Sequence, residues 1–234
     1  KTKRLILFKR KKNLFGEAVK SVSVAVAFYL SNNGNLKTKE EIGISCFFPT
    51  SDSFGLPFRC HAPFLLTSNR QNIKEDPFNR KLIDILADTA AEAVKILTTE
   101  KNDKKQPLIN DNILDMIKDA YYFSFGKITS PRPFYEKFTQ LLRTEKVFLT
   151  WGNHYCSASN VYLAGNEELR RLISNEQLAI LTKKQDCGFL RISARRDEDE
   201  FEYLEEDIGL KTFDADMFAK YINADFMEKQ ELDW

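Results

Sequence analysis

The residues best suited to chemistry stand together between His61 and Asp76, in the run His-Ala-Pro-Phe-Leu-Leu-Thr-Ser-Asn-Arg-Gln-Asn-Ile-Lys-Glu-Asp. The flanking patterns predict that this polar loop leaves a strand and enters a long helix, with Arg70 in its middle. A guanidinium stays charged at any working pH and offers a planar fork of donors that matches phosphate oxygens. Held out from a strand-to-helix junction, it is placed to reach an anion bound on a neighbouring domain. The plain alternative is a surface arginine paired with Glu75 or Asp76, an interaction worth little in water. Judged on the local residues alone, that alternative is the better one.

Other reactive groups lead to blander readings. Cys60 and His61 have the types of a nucleophile and its base, but neighbours on a strand point to opposite faces and cannot touch. The 4 cysteines, Cys46, Cys60, Cys156 and Cys187, stand far apart with no C-x-x-C pair, and there are only 2 histidines to assist them. No metal site is read from that spacing; reduced, buried thiols of a cytosolic protein are expected instead. His154, beside Trp151 and Tyr155, reads as a loop residue because no paired nucleophile is visible. The acidic stretch Asp197–Asp207 lacks the glycine turn of a calcium loop and reads as a solvated face.

The elements that must position Arg70 are legible on both sides. Val22, Val24, Val26 and Phe28 alternate with Ser21, Ser23, Ala25 and Ala27, the period of a strand whose second face is small enough for a helix to pack on it. Arg4–Phe8, Gly43–Phe48 (closed by Pro49) and Phe58–Ala62 read as further strands, and Asn32-Asn33-Gly34-Asn35 as a turn. The long helix starts with Asp76 as N-cap and Pro77 in its first turn. Leu82, Leu86, Ala90, Ala93, Val94 and Leu97 form its apolar stripe, widened by Ile83, Ile85 and Ile96. These elements predict a two-layer α/β unit over residues 1–98. After a charged linker, Glu100–Gln106, a mainly helical α/β continuation over 107–234 is expected. Its helices are read at Asp111–Tyr121, Pro133–Thr144, Glu167–Ile173, Asn175–Leu181, Glu200–Asp207 and Asp214–Tyr221, with loop and short strand over Val147–Val161 and a strand at Gly188–Ser193. Phe134, Phe138, Leu141 and Leu142 recur at helical spacing and read as core.

With 234 residues, 43% hydrophobic and 29% charged, the chain has an ordinary globular composition. No apolar run approaches the roughly 20 residues of a membrane helix, so a soluble protein with no membrane partner is expected. Net charge is +1, but Lys1, Lys3, Arg4, Lys9, Arg10, Lys11, Lys12 and Lys20 crowd the first segment against Glu17 alone. Such a strand could touch nucleic acid, yet no aromatic residues interleave it to form a base-stacking platform. An edge strand guarded by lysines is the favoured reading. The chain opens inside a strand and stops at Asp233-Trp234, which predicts a neighbouring domain.

An ordered series of motifs adds a resemblance: Phe47-Phe48-Pro49-Thr50, Gly55-Leu56-Pro57-Phe58, His61-Ala62-Pro63-Phe64, Thr67-Ser68-Asn69-Arg70, then Asp76 with Asn79. The series resembles the segment that follows the ATP-binding domain in sacsin-like and related bacterial ATPases of the GHKL superfamily. Leu65–Asn72 also looks like the middle-domain catalytic loop of heat-shock chaperone ATPases, where a Ser-Arg-Glu run leads into a helix. Here the match is Asn69-Arg70-Gln71, with the arginine kept and both flanking residues different. Weaker likeness continues through Phe134–Leu142, Trp151–Ala164 and Asp207–Asp233.

The resemblance implies an α+β fold: a ribosomal-protein-S5-domain-2-like transducer unit, followed by a helical region. It also implies that Arg70 reaches the terminal phosphate of ATP held by an upstream domain of the same polypeptide, with Asn69, Gln71 and Asn72 as polar helpers. ATP and magnesium would then belong to the intact protein only. No Walker sequence or G-x-G-x-x-G is present. The nearest approaches to the superfamily's D-x-G-x-G, Asp186-Cys187-Gly188-Phe189-Leu190 and Asp207-Ile208-Gly209-Leu210-Lys211, lack the second glycine. By itself the chain is expected neither to hold ATP tightly nor to hydrolyse it. A homodimer is compatible with this reading. A scaffold or nucleic-acid-binding module that kept the fold without the catalytic duty is the alternative.

Overall fold

Alternating valines build the centre of the first sheet. In the computed structural model, which describes residues 4–14, 20–38, 40–116, 127–191 and 198–230, the strands β1 (Arg4–Leu14), β2 (Lys20–Leu30), β3 (Ser45–Cys46), β4 (Phe48–Pro49) and β5 (Phe58–His61) form one sheet in the order β1-β2-β5-β3-β4. The β1–β2 pair is antiparallel from Arg4↔Leu30 to Leu14↔Lys20. Val22, Val24, Val26 and Phe28 are buried while Ser21 and Ser23 stay exposed, as a period of two requires. Beyond β2 the chain reverses at Asn32–Asn35, where Gly34 takes a left-handed φ of 78°.

Helix α1 (Pro77–Leu97) is set by local signals. Asp76 accepts a hydrogen bond from Phe78 N, Pro77 opens the helix, and Leu82, Leu86, Ala90, Ala93, Val94 and Leu97 are all buried. The face it covers differs from the one expected. Arg10 lies opposite Val24 and so shares its face, and its guanidinium pairs with Glu92 of α1. The helix therefore sits on the valine face, where large side chains remove more apolar surface from water than alanines would. On the small-residue face, Leu5 and Leu7 remain 45% and 46% exposed. Ile96 also departs from expectation: at 42% exposure it lies outside the buried stripe.

Two further expectations are corrected, one strand and one helix. The single strand predicted over Gly43–Phe48 is split, because Phe47 adopts a left-handed φ of 58° and turns β3 back onto β4. The charged linker is an ordered turn: Asn102 Oδ1 accepts from Lys104 N and Gln106 N, and its Nδ2 donates to Asn35 Oδ1 at 2.6 Å. Of the helix expected at Asp111–Tyr121, a 3-10 turn at Leu114–Met116 is observed, and residues 117–121 lie outside the described residues. Edge strand β1 carries Arg4, which is paired with Asp103 at 2.8 Å.

The chain divides into two compact units, 1–141 and 142–234. Helix α2 (Arg132–Thr144) places Phe134 and Phe138 on Phe54 and Phe58 of the first unit, and Lys137 reaches Asp88 of α1 at 2.8 Å. The second unit contains the hairpin β6 (Phe148–Leu149) and β7 (Tyr155–Cys156), then β8 (Val161–Ala164), α3 (Glu167–Leu172), α4 (Asn175–Thr182) and β9 (Gly188–Phe189). Of the strand expected at Gly188–Ser193, residues 192–193 lie outside the described residues. Helix α5 (Glu198–Glu202) runs into a π-helical turn at Tyr203–Ile208, followed by β10 (Lys211–Phe213), α6 (Ala215–Tyr221) and α7 (Ala224–Met227). β10, β8 and β9 form a parallel sheet in that order. Its core gathers Tyr162, Leu169, Ile173, Leu178, Leu181, Phe189, Phe213 and Phe226. The fold is thus mixed α+β. No helix among the described residues is long and apolar enough to cross a membrane.

Candidate functional site

The loop between β5 and α1 is a small hairpin clamped from three directions. Leu66 and Ile73 bridge antiparallel, Lys74 N donates to Leu65 O at 2.9 Å, and Thr67 N donates to Asn72 O at 2.9 Å. At the tip, Arg70 N donates to Thr67 O at 2.8 Å. Asn69 Oδ1 accepts from the Thr67 hydroxyl at 2.6 Å and from Gln71 N at 3.1 Å. That closure, an asparagine side chain standing in for a backbone turn, leaves Arg70 in the left-handed region at φ 58°. A residue with a Cβ there costs roughly 1–2 kcal/mol, so the surrounding bonds must hold it.

Those bonds come from the helix and from the neighbouring hairpin. Asn79, in the first turn of α1 and 0% exposed, donates from Nδ2 to Leu65 O and Lys74 O (both 2.8 Å) and accepts from Leu65 N at 2.9 Å. One buried side chain thereby joins both legs of the loop to the helix start. On the opposite side, Asp52 accepts from Asn72 Nδ2 at 3.0 Å and from Ile73 N, and Ser51 N donates to Gln71 O at 2.8 Å. The β3–β4 hairpin and the Arg70 hairpin are thus tied together.

The guanidinium of Arg70 is exposed and makes no side-chain hydrogen bond or ion pair among the described residues. Both carboxylates that could have neutralised it are engaged elsewhere: Glu75 pairs with Arg80 at 2.6 Å, and Asp76 caps α1. The polar neighbours differ. Asn69 and Asn72 use their side chains to hold the loop, and Gln71 Oε1 lies 3.4 Å from Asn69 Nδ2. All four residues of the expected site are contiguous, and Arg70 alone among them is a cation. Sequence reasoning missed Asp52 as an anchor; its signal was its place in a turn-rich loop, which does not say what it will bond.

Beside the loop stand Phe47 and Phe48, each 78% exposed. The Phe47 ring meets His61 edge-on at 6.0 Å, and its left-handed backbone is a second strained position within the tied pair of hairpins. Two adjacent aromatics facing water form a surface suited to a partner. The Cys60–His61 pair is separated as strand alternation requires. Cys60 is buried and its thiol is driven far above the ordinary range by desolvation, while His61 turns to Ser45, with Nδ1 3.3 Å from Oγ.

In the second unit the structure brings together His154, Cys156 and Asp186, with ligand atoms all within 4.8 Å of one another. The signal for this was present in part: His154 and Cys156, two apart in an extended segment, share a face. No family model matches this chain, and no curated protein matches it.

Proposed function

We propose that the chain is the transducer segment and continuation of a GHKL-type ATPase, in which Arg70 is presented to the terminal phosphate of ATP carried by a separate nucleotide-binding domain. In this reading residues 1–98 are the ribosomal-protein-S5-domain-2-like element. The observation that carries it is the exposed guanidinium, without an ion pair among the described residues, at the tip of a loop held by Asn79 and Asp52. The ordered motifs from Phe47 to Asn79 support it, and the exposed Phe47–Phe48 pair offers a partner domain an apolar surface.

Phosphoryl transfer needs placement and charge stabilisation more than covalent help, and a supplied arginine contributes about 10³- to 10⁵-fold in well-studied cases. Because the cation arrives only when two domains dock, hydrolysis would report on their geometry and drive a conformational change. In this reading the site offers one cation, and metal and nucleotide both come with the partner. The test joins the chain to its upstream nucleotide-binding domain and compares ATP turnover with Arg70→Ala. A loss of at least about tenfold is expected, a modest demand against that range; equal turnover rejects the arginine role. A protein that binds ATP and never hydrolyses it would favour the scaffold alternative.

A further inference from the structure

We propose that His154, Cys156 and Asp186 form a binding site for a zinc-class divalent ion in the second unit. The assignment rests on ligand chemistry and orientation together. His154 Nε2 lies 3.6 Å from Asp186 Oδ1. Two ligand atoms that share one tetrahedral zinc at its usual bond lengths stand about 3.3–3.7 Å apart. The full triad spans up to 4.8 Å, so small side-chain rotations close it around one ion.

Orientation of the imidazole is fixed from behind. Thr150, fully buried, has its Oγ1 3.0 Å from both His154 O and His154 Nδ1. A hydroxyl carries one hydrogen. Directed at the carbonyl, it leaves an oxygen lone pair for Nδ1, which must then bear the ring proton. In that tautomer Nε2 keeps its lone pair on the side of Asp186 Oδ1 and can ligate an ion. This is the outer-shell pattern by which metal-ligating histidines are held. Lys146 Nζ holds Asp186 Oδ2 at 2.7 Å and leaves Oδ1 turned to the cluster. The Cys156 thiol donates to Asp186 O at 3.1 Å. On binding, the S–H bond gives way to a sulfur–metal bond and the proton passes to solvent.

The donor set selects the ion. One thiolate, one imidazole and one carboxylate suit zinc and its neighbours, whereas calcium and magnesium take oxygen ligands. His154 and Asp186 are partly open to solvent, with side chains 33% and 47% exposed, which leaves a fourth position for water. The ion would tie the β6–β7 hairpin to the turn ahead of β9.

The experiment titrates the metal-free chain with Co²⁺. One equivalent should bind, with the visible bands of a tetrahedral site and a sulfur-to-cobalt charge-transfer band, and Zn²⁺ should displace it. Cys156→Ala should abolish the charge-transfer band and Cys187→Ala should keep it. Thr150→Val should weaken affinity about 10- to 100-fold through loss of the outer-shell bond. Asp186→Asn alters a part-exposed group, so it tests the site even if the buried Cys156 variant fails to fold; it should weaken Co²⁺ binding at least tenfold. Absence of the charge-transfer band in the parent chain, its survival in Cys156→Ala, or unchanged affinity in Asp186→Asn would overturn the assignment.

Discussion

Arg70 combines a left-handed backbone with a guanidinium that makes no ion pair among the described residues. Strained left-handed positions persist only where surrounding contacts over-determine them, and they cluster at functional sites. The strain can be measured apart from the charge. Arg70→Gly should be more stable than Arg70→Ala by about 0.5–1 kcal/mol in denaturant unfolding, since only glycine adopts that conformation freely. Equal stabilities would mean the loop relaxes and does not hold the residue. Asn79 bears the complementary burden. Replacing it with alanine leaves Leu65 N and Lys74 O without their Asn79 partner, takes one of two donors from Leu65 O, and should cost about 2–3 kcal/mol in the same assay. A cost under 0.5 kcal/mol would remove Asn79 as the anchor of the loop. At this scale the sequence was half informative. Arg70 could be singled out by type and setting, but whether Glu75 or Asp76 would neutralise it depended on Arg80 and the α1 cap taking those carboxylates first.

Elements written in short-range code were the most legible. Asp76, Pro77 and a regular apolar stripe specify α1 within a few turns, so its start and buried face were readable. Leu86→Ala should therefore destabilise by about 2–5 kcal/mol, whereas Ile96→Ala, at an exposed position, should change stability by less than about 0.5 kcal/mol. Thermal or denaturant melts of the pair check this directly; similar losses would place Ile96 in the core after all. The β3–β4 turn was not legible, because Phe47 has the side chain of a strand former and the backbone of a turn. Nor did periodicity reveal which face of β2 receives the helix. Small residues permit close approach, but the larger valines and Phe28 gain more from being covered. The His154–Cys156–Asp186 cluster escaped for a different reason: Asp186 stands 30 residues from Cys156, and only tertiary folding joins them.

For the molecule as a whole, the two units divide the chemistry. The first unit, 1–141, holds the Arg70 loop, and the second, 142–234, holds the thiol–imidazole–carboxylate cluster. Neither carries the glycine-rich nucleotide motifs; in the proposed reading the nucleotide is brought by a separate domain. The basic first strand has a structural use that needs no nucleic acid: Arg4 and Arg10 pair with Asp103 and Glu92 along a sheet edge. The central claim is that one guanidinium stabilises charge that develops during hydrolysis and contributes little to nucleotide affinity. The direct measurement is the single-turnover hydrolysis rate of the joined protein, taken beside its ATP affinity, for the parent, Arg70→Lys and Arg70→Ala. Affinity should stay within about threefold across the series, and hydrolysis should fall at least about tenfold in Arg70→Ala and less in Arg70→Lys. Hydrolysis unchanged in Arg70→Ala, or a loss confined to ATP affinity, would contradict that claim.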